Sequence, residues 1–521
     1  MKKNNYLSPL YIAIALIVGL WLGSFLQKKI NPTYSSDNEA RVKINRLMDL
    51  IETDYVDDID TDEVVDLAIN NILGQLDPHS VYINQDELGQ VEQSMKGSFV
   101  GIGITFNVFN DTMAVIKSLP AGPAKEAGIE AGDRILYAGE QKIFGNQISS
   151  DSITQILRGE ENSIINLKVF RKKDSTTFDT KVTRKAIPIK SVDVATVVQD
   201  TIGYIKINRF SETTHTEFAE GLDKLQQKNI KSLVIDLRDN GGGYMEPAIQ
   251  IADELLPLGQ KIVKVINKKG KESQHIATEG GKFETGKLFV LINENTASSS
   301  EIIAGAIQDN DRGTIIGRRS YGKGLVQREI YLGDGSAVRL TTARYYTPSG
   351  RSIQKPYQEN EDYQGEIAHR FETGELYEKD SIHLADSLQF RTLKGRIVYG
   401  GGGIVPDVFV PVESKHGEDA IQLLMKTTMV NHFVFQQIDA ERNQFERLSS
   451  QEIADRLREN SKYFADLKVY LKENGLTFNL DRHKENILFY LTAEYINQLK
   501  TAEDYYQWIL QHDSMFEKTL E

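Results

Sequence analysis

Apolar and polar positions along this chain change period several times, and each change marks a predicted element. Tyr6 to Leu26 is an uncharged, mostly apolar run flanked by Lys2-Lys3 and Gln27-Lys28-Lys29. At about 20 residues it is long enough to cross a bilayer once. A polar linker follows from Ile30 to Glu39, and then two stripes at helical spacing. The first holds Ile44, Leu47, Met48, Ile51 and Tyr55; the second holds Val65, Ala68, Ile69, Ile72 and Leu76. Both predict amphipathic helices whose apolar faces meet a core or a partner helix. Between Ile187 and Val412 apolar strands alternate with amphipathic helices, which predicts an α/β architecture. Leu233–Leu237, apolar except for Asp236, and Leu288–Ile292, apolar throughout, read as strands buried on both faces. Glu246–Leu256 reads as a helix and Leu325–Leu332 as a strand. Pro356–Leu393 is polar and without clean period, a surface excursion. From Glu418 onward the chain is helical and polar, with Phe435, Ile438, Leu448, Ile453, Leu457, Phe464, Leu467 and Tyr470 placed to face a core.

Composition narrows the function. The 521 residues predict two to four domains rather than one core. A net charge of −13 argues against a nucleic-acid partner, which needs a basic face. No cysteine occurs, which excludes disulfides, zinc thiolates and a cysteine nucleophile. The nine histidines form no H-E-x-x-H pattern, so no catalytic metal is expected. The apolar run is longer than a signal-peptide core and no A-x-A site follows it, so it is expected to stay as a membrane anchor. Its flanking lysines are balanced and do not orient it.

The candidate chemistry begins at Thr296-Ala-Ser-Ser-Ser-Glu301, after the strand ending at Asn293. A serine at a helix start gains from free N–H groups and the positive end of the helix dipole. Lys323, in Ser320-Tyr-Gly-Lys-Gly324, supplies an amine that can act as general base if burial strips its proton. The same segment is also a complete helix cap, with Thr296 or Ser298 as N-cap and Glu301 as its N3 partner. A second motif, Asp236-Leu-Arg-Asp-Asn-Gly-Gly-Gly243, ends a buried strand in three glycines. Their amides suit a developing oxyanion. Gly317-Arg-Arg-Ser-Tyr-Gly-Lys-Gly324 approaches a P-loop, but Gly324 lacks the Mg²⁺-binding hydroxyl and a strand-like run follows.

Together these segments resemble the carboxyl-terminal processing (tail-specific) serine peptidases. The resemblance rests on Asp236–Gly243, on Thr296–Ile302 with Gln308-Asp309, and on Gly322-Lys-Gly-Leu-Val-Gln327. It implies Ser298 as nucleophile, Lys323 as general base and Gln327 as the residue that orients it. The backbone N–H groups of Gly242 and Ser299 would form the oxyanion hole, with Arg238, Glu301 and Asp309 as supports. Thr296, Ser299 and Gly241 depart from the family's commoner serine, alanine and proline. Leu76-Asp-Pro-His-Ser80 and Gly400–Val408 resemble two further family segments; His79 is read as a turn brace and the second segment as structural.

Gly101-Ile-Gly-Ile104 and Ala127-Gly-Ile-Glu-Ala-Gly-Asp133 resemble a PDZ domain, whose glycine loop binds a terminal carboxylate while its open strand edge accepts a peptide. The implied fold is multidomain α/β: a crotonase-like serine peptidase core, a β-rich PDZ domain, N-terminal helices and a helical C-terminal domain. The expected division is 1–29 membrane anchor or signal segment, 30–93 linker and helices, 94–185 PDZ, 186–415 core with insertion 356–393, and 416–521 helical domain. No cofactor is implied. The expected partners are proteins or peptides with exposed C-termini, the membrane through the N-terminal segment, and a second copy through the N-terminal helices. The resemblance places the enzyme in the cell envelope, facing the periplasm. A crotonase-type acyl-transfer enzyme and an inert PDZ scaffold are the competing readings.

Overall fold

The computed structural model of the chain describes residues 39–521 apart from 146, 358–362, 364, 384, 413–417, 426 and 478. The described residues fall into two units, one ending at Gln75 and the other running from Leu76 to Glu521. The first holds the helices Glu39–Asp54 and Thr61–Gly74. Asp60 caps the second, its carboxylate accepting from the N–H groups of Asp62 and Glu63. Ile44, Leu47 and Ile72 are more than half exposed, so these stripes are not closed into a core among the described residues.

The expected membrane anchor, and the periplasm-facing envelope location built on it, are corrected here. Among the described residues no helix is long and apolar enough to cross a membrane, and Tyr6–Leu26 lies outside them. The longest described helix, Thr428–Phe445, has 18 residues and carries Asn431, Asp439, Glu441 and Arg442, whereas a span needs about 20 mostly apolar residues.

Within the second unit, a sheet over Ile104–Thr183 runs in the order Ile104–Phe109, Thr112–Ser118, Asp133–Ala138, Ile164–Arg171, Thr176–Thr183. Its first strand lies at the edge of the sheet. The helix Ser150–Leu157 buries Ile153 and Leu157 against Met113, Ile135 and Val169. The core is a six-stranded sheet ordered Val192–Val198, Ile202–Ile207, Ser232–Asp236, Lys287–Ile292, Thr314–Gly317, Val408–Phe409. All its pairs are parallel except the first.

Successive strand residues face opposite sides, and both sides are covered. Leu233 and Ile235 pack with Phe218, Leu222, Ala248 and Ile303 from the flanking helices. Val234 and Leu291 pack with Leu510, Met515 and Phe516 from the chain's end. Double coverage is why these strands read as largely apolar runs. A second sheet joins Ala337–Tyr346 to Val81–Ile83 and Lys261–Asn267, and Leu325–Tyr331 pairs with the same long strand.

The excursion 356–393 holds the helix Glu366–Glu372 and the short strand Gln389–Arg391. The C-terminal region is helical, with Ile438, Ile453, Leu457, Phe464 and Leu467 in its own core. Phe435 points elsewhere, packing against Ala114 and Ile116 of the Ile104–Thr183 sheet. The same contact carries Asp439, paired with Arg134 at 2.8 Å and Lys172 at 2.6 Å.

Candidate active site

The site forms where two neighbouring parallel strands end. Ser232–Asp236 leads into the triple-glycine turn, and Lys287–Ile292 leads into the turn before the helix Ser299–Asp309. Ligands gather at the carboxyl ends of such strands because the turns there present amides and side chains to one cleft. Ser298 is the N-cap of that helix, with φ +56° and ψ −116°. A serine in this sparsely populated region is strained, and strain of this kind collects at functional sites.

Among the three consecutive serines, the other two are committed. The Ser299 hydroxyl donates to Gly243 O at 2.9 Å and the Ser300 hydroxyl to Asn240 O at 3.0 Å, and both residues are buried. Ser298 is only half-buried.

Glu301 and Tyr345 join the serine turn to the lysine loop. The Glu301 carboxylate is fully buried and accepts four hydrogen bonds. The donors are Ser298 N–H (2.8 Å), Lys323 N–H (2.9 Å), Gly322 N–H (2.8 Å) and the Ser320 hydroxyl (2.5 Å). Burial pushes its pKa up to about 7, with those four bonds opposing the shift. The buried Tyr345 hydroxyl lies 3.0 Å from Ser298 O and 2.7 Å from Lys323 O. Glu301 was read as a support from sequence; Tyr345 and Ser320 carried no sequence signal. The Gly400–Val408 segment braces the same loop, since Ile404 N–H donates to Ser320 Oγ at 2.7 Å.

The Lys323 ammonium donates to Gln327 Oε1 at 2.9 Å. Burial lowers the lysine's pKa, and Arg339 lowers it further, against the pull of Glu301 and Asp77. A lysine so placed is easier to use as a base near neutral pH. Gln327 Nε2 donates in turn to the backbone carbonyl of His79.

Gly242 has φ +98° and lies against the serine. A Cβ added there would stand 2.7 Å from Ser298 Cβ and 3.1 Å from Ser299 N, so only glycine fits. Its own N–H donates to Asn240 Oδ1 at 2.9 Å. Ser299 is the first residue of the helix, where N–H groups have no partner in the helix itself.

Two expected supports lie apart from this chemistry. Arg238 is turned to Asp236 at 2.6 Å and Asp513 at 2.7 Å. Asp309, at the far end of the helix, is buried with Arg351 at 2.7 Å and accepts from the Thr347 hydroxyl. Lys323 is followed by the strand Leu325–Tyr331 rather than a helix, which removes the P-loop reading.

In the Ile104–Thr183 sheet, the glycine loop Gly101–Ile104 leads directly into the edge strand. Gly103 has φ +74° and Ile102 is buried. Ile102 O and Gly103 O accept from Ala124 N–H and Leu119 N–H, each at 2.9 Å, which fixes the loop's shape.

The sequence matches peptidase family S41 over residues 201–362, a PDZ domain over 100–182, and the N-terminal domain of the activating protease CtpB over 24–87. A carboxy-terminal-processing protease of Bartonella bacilliformis is 35% identical over 356 residues, covering 66% of this chain and 80% of that protein. A probable CtpA-like serine protease of Staphylococcus aureus is 30% identical over 359 residues, 68% of this chain and 71% of that one. The carboxy-terminal processing protease CtpB of Bacillus subtilis is 30% identical over 324 residues, 62% and 67% of the two chains. The chain therefore belongs to peptidase family S41, the carboxyl-terminal processing peptidases. It is a serine endopeptidase that recognises carboxyl-terminal regions through its PDZ domain and works by a serine–lysine dyad.

Proposed function

We propose that Ser298 is the nucleophile, Lys323 its general base and Gln327 the residue that orients the base. The observation that carries this reading is the joint clasp of Glu301 on the N–H groups of Ser298 and Lys323. It holds the two loops together while leaving the lysine amine to Gln327. Neutral Lys323 takes the proton of Ser298 as its oxygen attacks the scissile carbonyl, then gives that proton to the amine that leaves as the C–N bond breaks; water attacks the acyl-enzyme with Lys323 again as base, and the proton returns to Ser298 as the acid departs. The oxyanion is assigned to the N–H groups of Ser299 and Gly242. For Gly242 to serve, its bond to Asn240 Oδ1 must open. Glu301 is a support for both loops, and Arg238 and Asp309 act through the scaffold.

The finer reading of the core as crotonase-like draws support from the same geometry, two oxyanion amides presented by turns after adjacent parallel strands. The division into 94–185 PDZ, 186–415 core and 416–521 helical domain is supported by the separate hydrophobic clusters of these segments. Gly101, Ile102, Gly103 and Ile104 are proposed to hold the substrate carboxylate, with the peptide extended along the edge strand Ile104–Phe109.

The test is to incubate wild type and Ser298→Ala with an unfolded protein bearing a free or an amidated apolar C-terminus, and to read cleavage by intact mass. Cleavage by wild type alone, faster with the free carboxylate, is expected. Equal cleavage of both tails would remove the glycine loop from substrate selection. Cleavage by Ser298→Ala would overturn the nucleophile.

A further inference from the structure

The motif Leu76-Asp77-Pro78-His79-Ser80 has no part in the chemistry assigned above, yet it lies against the general base. Asp77 is 7% exposed, and its carboxylate is the hub of the turn. Oδ1 accepts from His79 N–H and Ser80 N–H, both at 2.9 Å, and from the Thr341 hydroxyl at 3.2 Å. Oδ2 accepts from the Ser80 hydroxyl at 2.7 Å. Ser80 Oγ then accepts from Thr341 N–H at 3.1 Å. Thr341 is the residue paired with Gln327 across the hairpin. These bonds fix the His79 carbonyl where it receives Gln327 Nε2.

A carboxamide is nearly symmetric in shape and opposite in polarity at its two ends, so its partners decide which end faces the lysine. With Oε1 toward Lys323, the amine donates to it and keeps its lone pair for the proton of Ser298. With Nε2 toward Lys323, the amide N–H would compete for that lone pair and oppose the charged form. A carbonyl can only accept. The His79 carbonyl therefore holds Nε2 on its own side and leaves Oε1 for the lysine.

We propose that Asp77 is a positioning residue for the general base, acting through the His79 carbonyl and the amide orientation of Gln327. This rests on the Lys323–Gln327 assignment above and adds the element that sets its polarity. Lys323 is faced by Asp77 and His79 from the turn, by Glu301 from the helix and by Arg339 from the neighbouring strand. Asp77 and Glu301 favour the protonated lysine; burial and Arg339 disfavour it. His79, with its pKa lowered to about 4 by burial and by Lys323, is neutral in the working range. Asp77 thus has two separable effects, a geometric one on Gln327 and a charge effect on Lys323.

The experiment measures kcat and KM against pH on the full chain, with the free-tailed unfolded protein as substrate. Wild type is compared with Asp77→Asn, Asp77→Ala, Ser80→Ala and Lys323→Ala, and folded fraction is followed by thermal unfolding. Asp77→Asn keeps an oxygen for the two amides and loses the charge. Its plateau kcat is expected within about threefold of wild type, with the acid limb moved to lower pH. Asp77→Ala is expected to lose about 10²-fold in kcat at unchanged KM, the scale of a misplaced catalytic group, with the same movement of the limb. Ser80→Ala, which keeps the hub, should fall between them and covers the case in which Asp77→Ala does not fold. If Asp77→Ala and Ser80→Ala keep wild-type kcat and the limb stays in place while Lys323→Ala is inactive, this inference falls and the dyad stands. If Lys323→Ala is active, the dyad itself falls. Losses that follow the folded fraction alone, with an unmoved limb, would reduce Asp77 to a structural role.

Discussion

Ser298 and Lys323 depend on groups that hold them more than on their own side-chain chemistry. Glu301 supplies four acceptor sites to four donors, and Glu301→Gln has an oxygen for only two of them. The expected loss is about 10²-fold in kcat, the scale set by misplacement of reacting groups, and steady-state kinetics checks it. The same carboxyl leaves a mark on stability. Its folded pKa, about 7, lies above the ordinary glutamate value of 4.5. Its contribution is therefore complete below about pH 4.5 and is lost as pH rises through 7. His79 acts in the opposite sense, because its pKa is lowered from 6.5 to about 4; its contribution is present above pH 6.5 and lost as pH falls through 4. Thermal melts of Glu301→Gln should lose the decline between pH 4.5 and 7, and an unchanged decline would place its origin elsewhere. Lys323, its pKa lowered by burial and by Arg339, predicts a rise of kcat/KM with pH whose midpoint falls below the ordinary lysine value. A midpoint at that ordinary value would remove the buried-base reading.

The elements carry a different kind of constraint, close approach of backbone. At Gly242 a methyl group would meet Ser298 Cβ at 2.7 Å and Ala297 O at 2.9 Å, at a φ of +98°. Gly242→Ala is expected to abolish turnover and to lower thermal stability, checked by activity and melting together. Before the edge strand Ile104–Phe109, Gly103 has φ +74°, and a Cβ added there would stand 3.2 Å from Ile187 Cδ1. Gly103→Ala should distort the loop that precedes the edge strand. The expected readout is loss of the preference for a free over an amidated tail, with cleavage of the amidated substrate unchanged.

At the scale of the whole second unit, the C-terminal helical region does two jobs at once. Leu510, Met515 and Phe516 seal the second face of the parallel sheet. Phe435 and Asp439 meanwhile hold the Ile104–Thr183 sheet through Ala114, Ile116, Arg134 and Lys172. Asp439 and Arg134 are both largely buried, at 5% and 10% side-chain exposure. Removing one partner leaves a buried charge, which costs about 3 kcal/mol or more. Asp439→Ala should therefore destabilise this contact by that order in urea unfolding and should speed proteolytic nicking between the sheet and the helices. Unaltered nicking would mean the contact does not hold the sheet in place.

What the sequence determined by itself is everything that depends on short-range period and on a few side-chain types at fixed spacing. Leu233–Ile235 and Leu288–Ile292 announced doubly covered strands because successive residues face opposite sides and both sides are buried. The serine at the helix start, the glycine-flanked lysine and the triple-glycine turn were legible because each is a local pattern with a local physical reason. The partners of those groups were not legible. Gln327 meets a backbone carbonyl 248 positions away, and a carbonyl has no signature in any sequence. Asn240 takes the Gly242 N–H, Tyr345 spans the carbonyls of Ser298 and Lys323, and Arg238 turns to Asp236 and Asp513. Such choices follow from which polar groups are brought together out of water and must satisfy one another there. Only the tertiary structure decides that, because burial and long-range pairing belong to the packed chain and not to any segment of it.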